Sequence, residues 1–199
     1  MDTAIILAGG SAIRFGRPKA LEEVDGKPLV RHVFEAVERC AEEIVVSLAN
    51  RLMADVMRRV LPDARFVIDR RRGKGPIEGI LRGVEVAQGE RLLVAPCDAP
   101  LLRSELYSLL LASLGDHDAA VPRFHVFDPV RAVYRIAAVR RVLGVGTKPP
   151  ASPSALVDRL DAVFVEEDRL RSVDPHLDSF LDVNTEADLQ EVLTRLRSA

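Results

Sequence analysis

Residues 4–19 read Ala4-Ile5-Ile6-Leu7-Ala8-Gly9-Gly10-Ser11-Ala12-Ile13-Arg14-Phe15-Gly16-Arg17-Pro18-Lys19. The opening run is aliphatic without alternation, the pattern of a strand covered on both faces, as in a parallel sheet. Paired glycines end it, and glycine lets successive backbone N–H groups point inward as an anion-binding nest with no Cβ in the way. Three cations, Arg14, Arg17 and Lys19, come next on the same loop. Two phosphate-binding templates fail here. The chain has no Gly-Lys-Ser or Gly-Lys-Thr, which a G-x-x-x-x-G-K-[ST] loop requires. Gly9 and Gly10 are adjacent and Gly16 is too distant for the G-x-G-x-x-G fingerprint. Pro18 argues against a helix starting directly after the glycines. The loop is therefore long and carries its cations on an extended stretch, which suits a triphosphate better than a pyrophosphate resting on a helix end.

The same punctuation recurs along the chain. Pro28 opens a helix to about residue 41, with Val30, Val33, Phe34 and Val37 facing inward. Residues 44–48 form a second strand, followed by a helix over about 52–61; residues 66–68 form a third, ending at Asp69. Pro76 starts another helix, with Ile80, Leu81, Val84 and Ala87 on one face, and residues 92–95 form a fourth strand ending at Cys97-Asp98. Residues 104–113 are again helical, with Leu106, Leu109, Leu110 and Leu114 as core positions. This alternation predicts an α/β fold: a Rossmann-like, doubly wound, mostly parallel sheet with helices on both faces. The second half is less regular. Residues 119–122, 130–134 and 161–165 read as strands, the second of them antiparallel at an edge. Residues 144–153, rich in glycine and proline, read as a loop, and Asn184-Thr185-Glu186-Ala187-Asp188 has the cap-plus-acid spacing of a last helix, to about residue 196. One domain over residues 1–199 accounts for the whole pattern.

Composition narrows the function. The chain has 199 residues, 48% hydrophobic and 29% charged, enough for a real core and a charged surface. A net charge of −2 excludes a protein that is basic throughout and binds nucleic acid electrostatically. No apolar stretch approaches the ~20 residues needed to cross a bilayer, and no cationic segment precedes an apolar one at the start. Two cysteines, Cys40 and Cys97, are no disulfide framework. The expectation is a cytoplasmic protein with no nucleic-acid or membrane partner, in which Cys97 is a small apolar space-filler. The four histidines lack metal-ligand spacing.

Ligands of open parallel sheets bind outside the carboxyl ends of the strands, and those ends are rich in polar and glycine residues. Gly9-Gly10 with Arg14 and Lys19 stand after the first, and Ser47 with Asn50 after the second. Asp69 and then Gly75-Pro76-Ile77-Glu78-Gly79 stand after the third, and Asp98 after the fourth. A carboxylate beside phosphates can hold Mg²⁺, which binds through one or two carboxylates plus phosphate oxygens. Taken alone, Asp98 could equally be a turn residue or helix cap before Pro100. The second protein ligand is Asp182 or Asn184. The basic run Arg70-Arg71-Arg72-Gly73-Lys74 either grips a phosphate or is a solvated loop.

These residues resemble a known family. L-A-G-G-x-x-x-R-[MF]-G-x-x-K is the signature of sugar-phosphate and cofactor nucleotidyltransferases, met here by Leu7 to Lys19. Gly26-Lys27-Pro28-Leu29, Gly75 to Gly79, Pro96-Cys97-Asp98-Ala99-Pro100, Asp128-Pro129-Val130-Arg131-Ala132-Val133-Tyr134 and Val183-Asn184-Thr185 narrow it. Together they resemble the MobA-like molybdenum cofactor guanylyltransferases, over nearly the full chain. The resemblance implies a nucleotide-diphospho-sugar transferase-like fold, with residues 1–113 binding nucleotide and 114–199 binding acceptor. It also implies transfer of GMP from GTP to the terminal phosphate of molybdopterin, with release of pyrophosphate. Leu7, Ala8, Gly9 and Gly10 would hold the nucleotide through backbone groups, with Ser47, Asp69 and Gly75 as further contacts. Arg14, Lys19 and Asp98 would be catalytic, and Asp98 with Asn184 would hold Mg²⁺. Molybdoenzymes would receive the product, and the chain would act as a monomer or weak homo-oligomer. CTP in place of GTP, a cobinamide phosphate as acceptor, or a non-catalytic cofactor carrier are the alternatives. Three departures stand out: Ser47 replaces a frequent asparagine, Glu78 replaces a small residue, and Asp182 replaces an asparagine. The 144–153 loop also lacks the arginine-rich string associated with pterin recognition.

Overall fold

The computed structural model describes residues 1–9, 13–14, 17–71, 73–144 and 146–198, with backbone alone at 13, 14, 17 and 198. β1 (Asp2–Ala8) is followed by two small hairpins, β2 (Ile13–Arg14) with β3 (Arg17–Pro18) and β4 (Glu23–Val24) with β5 (Lys27–Pro28), and by α1 (Leu29–Val37). Regular alternation comes next: β6 (Glu43–Leu48), α2 (Arg51–Val60), β7 (Arg65–Ile68), α3 (Pro76–Val86), β8 (Arg91–Pro96) and α4 (Ser104–Ser113). The remainder holds β9 (Ala119–Phe124), β10 (Val126–Phe127), β11 (Val133–Arg135), α5 (Ile136–Val142), α6 (Pro153–Val157), β12 (Ala162–Glu166), α7 (Glu167–Arg171) and α8 (Glu186–Ser198).

Among the described residues eight strands form one sheet in the order β7-β6-β1-β8-β11-β9-β10, with β12 paired along β9. β1 runs parallel to β6 and β8, β6 to β7, and β9 to β12. The chain leaves β1 toward β6 and β7, then returns to β8 on the other side. The carboxyl end of β1 therefore lies at the switch point, where a crevice opens. The sequence pattern of residues 130–134 predicts an antiparallel strand at an edge. The strand is antiparallel, but it sits inside the sheet between β8 and β9, with Val133 and Tyr134 fully buried. Covered on both faces, it carries no alternation that marks its place.

Alternate residues of the strands feed two opposite cores. Ala4, Ile6, Val46, Leu48 and Leu93 pack with α1, α2, α4 and α7, whereas Ile5, Val45, Leu92 and Val94 pack with α3, α5 and α6. This is the doubly wound arrangement the periodicity predicts. α1 stops at Val37, short of the expected 41, and gives way to a turn in which the Cys40 N–H bonds the Val37 carbonyl only three residues back. A third cluster joins Val24 and Leu29 to Val183 and Val192, so α8 packs beside the β4–β5 hairpin and brings residues 182–184 back to the sheet.

Tyr107 of α4 ties its helix to the sheet: its buried hydroxyl donates to the Val94 carbonyl at 2.6 Å. Tyr107→Phe keeps the shape and removes that donor, so a loss of about 1 kcal/mol is expected. Thermal unfolding should register it as a fall of roughly 2–4 °C in Tm.

Candidate functional site

The site is assembled from strand ends. Pro18 leads into a single 3-10 turn, Lys19–Leu21, anchored by buried Ala20 and closed by Glu22 N–H on the Lys19 carbonyl at 3.0 Å. From there the Lys19 side chain reaches Asp98, just past β8, and forms an ion pair with Asp98 Oδ2. The same ammonium donates to Asn184 Oδ1 at 2.7 Å. Asn184 is held by the start of α8, where the N–H groups of Asn184 and Thr185 donate to Asp188 Oδ2 at 2.7 and 2.6 Å. Thr185 Oγ1 accepts from Asp188 N–H at 3.1 Å, completing the capping box that the spacing predicts. Val183 N–H donates to the Asp98 carbonyl at 2.9 Å, so the two segments are joined through backbone as well. A carboxylate oxygen and an amide oxygen thus converge on one cation. That is a hard-cation donor set that phosphate oxygens would complete, and it fits Mg²⁺.

A second group of residues lies across the end of β1. Asp69 stands just past β7, its N–H held by the Leu48 carbonyl at 2.9 Å and its Oδ1 accepting from Ser47 Oγ. Its Oδ2 lies against Gly9, where any Cβ would collide with it; only glycine permits this approach. Gly79 is equally constrained, since a Cβ there would stand 2.6 Å from Leu7 Cδ2 and 3.2 Å from Ser47 Oγ. Burial pushes the Asp69 carboxyl above its ordinary value, the Ser47 hydrogen bond opposes this, and nearby Glu78 adds to the rise. A cleft of about 580 Å³, lined by Ala49, Asn50, Arg51, Ile68, Asp69 and Arg70, opens beside it; this is space enough for a nucleoside. Asn50 Oδ1 is engaged as the cap of α2, accepting from Met53 N–H at 3.1 Å.

Of the residues predicted from sequence, Lys19, Asp98 and Asn184 meet directly, and Gly9, Ser47 and Asp69 meet on the other side of β1. Leu7 and Ala8 lie within β1, and the Leu7 carbonyl accepts from Cys97 N–H at 3.3 Å. Gly75 caps α3. Gly10 and the Arg14 side chain lie outside the described residues. Asp182 turns away to Arg131, a residue that the sequence pattern marks only as part of a strand. The Arg131 guanidinium is buried and donates to Asp128 Oδ2 at 2.6 Å, to the Ser179 carbonyl at 2.8 Å and to Asp182 Oδ1. Burial and the nearby Asp98 push the Asp182 carboxyl up, while Arg131 draws it down. The spacing Asp128-x-x-Arg131 is the one local signal of this arrangement. Within the basic run Arg70 pairs with Glu85 at 3.1 Å and Arg71 with Glu78 at 2.9 Å, while Arg72 lies outside the described residues. Among the described residues no cluster of three or more His, Cys, Asp or Glu side chains forms a metal cage.

A cation on one side of the switch point and a carboxylate on the other make this a site suited to a nucleotide, and its relatives place the chain among the nucleotidyltransferases. The chain belongs to the MobA-like NTP transferase family, whose domain matches residues 4–178. It is 32% identical over 200 residues to a probable molybdenum cofactor guanylyltransferase of Methanosarcina mazei, covering 96% of this chain and 89% of that protein. Among solved structures it resembles molybdopterin-guanine dinucleotide biosynthesis protein A from Archaeoglobus fulgidus, with a TM-score of 0.80, 25% identity and full coverage of both chains. A nucleotidyl transferase from Methanothermobacter shares the fold, with a TM-score of 0.76 and 19% identity over 100% of this chain and 99% of that one.

The buried groups around the site have two measurable consequences. Arg131→Met strands two largely enclosed carboxylates, so a loss of about 3 kcal/mol is expected in urea unfolding. Burial, with Asp98 alongside, pushes the Cys97 thiol up to about 12. At pH 8, iodoacetamide should therefore modify Cys97 in the native protein on the order of 10³-fold more slowly than in the denatured chain, as read by mass spectrometry.

Proposed function

We propose that this chain transfers GMP from GTP to the terminal phosphate of molybdopterin, releasing pyrophosphate. One observation carries the placement of the chemistry: the Lys19 ammonium held between Asp98 and Asn184 at the end of β8. The names borne by the Methanosarcina and Archaeoglobus relatives support the substrates. In this reading residues 1–113 supply the nucleotide half and 114–199 the acceptor half.

The charges give the nucleotide a direction. Phosphates belong at the Lys19 end; Arg14, read from the sequence as a second cation for them, has its side chain outside the described residues. The nucleoside belongs at the Asp69 end, because guanine and ribose offer N–H and O–H donors that a carboxylate accepts. Leu7, Ala8 and Gly9 line the path between them with backbone, Gly10 is read as a further contact although it lies outside the described residues, and Ser47 and Gly75 shape the nucleoside side. An oxygen of the acceptor's phosphate attacks the α-phosphorus in line, and the bond from that phosphorus to the bridging oxygen of the β-phosphate breaks. The electron pair leaves with pyrophosphate, and no protein nucleophile is needed. Lys19 and Arg14 offset the charge that develops on the leaving group. Asp98 and Asn184 are the residues that would hold Mg²⁺, which supplies further charge neutralisation when bound. The product would pass to molybdoenzymes in the cytoplasm. No helix among the described residues is long and apolar enough to cross a membrane.

Incubation with α-labelled GTP, Mg²⁺ and molybdopterin should yield a guanine dinucleotide and pyrophosphate, with CTP and cobinamide phosphate run in parallel. Absence of product with correctly loaded acceptor overturns the proposal. Asp98→Asn should lower kcat on the order of 10²-fold or more with the fold intact.

A further inference from the structure

Glu78 is an ionisable side chain with only 3% of its surface exposed, in the first turn of α3. A glutamate at that position ordinarily reaches back to cap its own helix. This one reaches elsewhere: Oε1 accepts from the Arg70 backbone N–H at 3.1 Å, and Oε2 from Arg71 Nε at 2.9 Å. The start of α3 packs close on the sheet, since a Cβ on the next residue, Gly79, would stand 2.6 Å from Leu7 Cδ2 and 3.2 Å from Ser47 Oγ. Asp69 directly precedes Arg70, so its two flanking peptide N–H groups are both engaged. Its own goes to the Leu48 carbonyl at 2.9 Å, and the next goes to Glu78. The main chain that presents the Asp69 carboxylate to Gly9 is therefore held from β6 on one side and from α3 on the other.

We infer that Glu78 is a positioning residue for nucleotide binding, acting through the Arg70 N–H to fix the main chain that carries Asp69. The inference rests on the reading of Asp69 as a nucleotide contact. Glu78 touches no reacting atom, so its effect falls on affinity and KM for GTP rather than on the chemical step. Because the backbone bond needs only an oxygen acceptor, glutamine can replace glutamate there, whereas alanine leaves the Arg70 N–H without its partner.

The test is GTP binding by titration calorimetry, with steady-state kinetics alongside, for Glu78→Ala, Glu78→Gln, Arg71→Ala and Asp69→Asn. Glu78→Ala should weaken GTP binding and raise its KM about tenfold, with kcat at saturation within about threefold of the parent. Glu78→Gln should recover affinity to within about threefold, and Arg71→Ala should stay within about twofold. Parent-like affinity in Glu78→Ala, or equal weakening in Glu78→Gln and Glu78→Ala, overturns the inference. So does a fall in kcat with KM unchanged. Should Glu78→Ala not fold, amide exchange of the parent decides: the Arg70 N–H must be protected without nucleotide, and exchange at the rate of an open chain overturns the inference. Asp69→Asn separates the two levels. If it binds GTP as tightly as the parent, the nucleotide reading of Asp69 fails; if it is weak while Glu78→Ala is normal, only the role of Glu78 fails.

Discussion

The Lys19 ammonium, shared between the Asp98 carboxylate and the Asn184 amide, joins three segments that lie 79 and 165 positions apart in sequence. Each is delivered by a different device: a 3-10 turn behind Pro18, the end of a buried parallel strand, and the capped start of the last helix. A mostly buried ion pair of this kind contributes little net stability, because desolvating both partners offsets much of their attraction. Its consequence is positional. With the β4–β5 hairpin and α8 packed together, and Val183 bonded to the Asp98 backbone, Lys19 and the segment 182–184 face the same crevice.

Across that crevice the charge changes sign. Lys19 stands on the β8 side of β1, while Asp69 and Glu78 stand on the β6 and β7 side. A helix N-terminus ordinarily attracts phosphate, and α3 begins within this site. Its first turn, however, contains the buried Glu78 carboxylate, which meets the positive end of the helix from inside and would repel a phosphate placed there. That repulsion agrees with the proposed orientation, phosphates on the Lys19 side and hydrogen-bond donors on the Asp69 side. The α3 N-terminus serves instead as an anchor for the Asp69–Arg71 segment.

Much of this was legible in the sequence, for a physical reason. Strands covered on both faces are continuous aliphatic runs, so their ends are sharp, and parallel topology places all those ends at one edge. Naming the residues at the ends of β1, β6, β7 and β8 was therefore enough to pick out Gly9, Ser47 and Asp69 on one side of β1 and Asp98 on the other. Asn184 could be named as well, since its capping box is local, although the choice between it and Asp182 depended on Arg131. Two partnerships were not legible: Arg131 meets Asp182 across 51 positions, and Glu78 turns back across a non-helical loop to Arg70 and Arg71, a pairing that no helical or strand period marks. Helices α5, α6 and α7 escaped for another reason. At seven, five and five residues they are too short for a 3.6-residue period to register.

The misplaced strand carries the most consequence. Parallel strands contribute to a switch-point crevice only through the residues past their carboxyl ends. β11 is antiparallel to β8, with Val133 opposite Leu93 and Tyr134 opposite Leu92, so it contributes through the residues ahead of its amino end. Val94 N–H donates to the Ala132 carbonyl at 2.9 Å, one step nearer the carboxyl end of β8, and Arg131 and Asp128 lie beyond it. An edge strand would have left Arg131 in water, where pairing with Asp128 and Asp182 is worth little. Inside the sheet the guanidinium is enclosed, and any arrangement that separates it from either aspartate leaves a charge in low dielectric. The segment from Ser179 to Asp182 is therefore held where the guanidinium places it. Asn184, two residues on, reaches Lys19 from that fixed position, so an antiparallel strand inserted in the second half of the chain sets the geometry around a cation supplied by the first half.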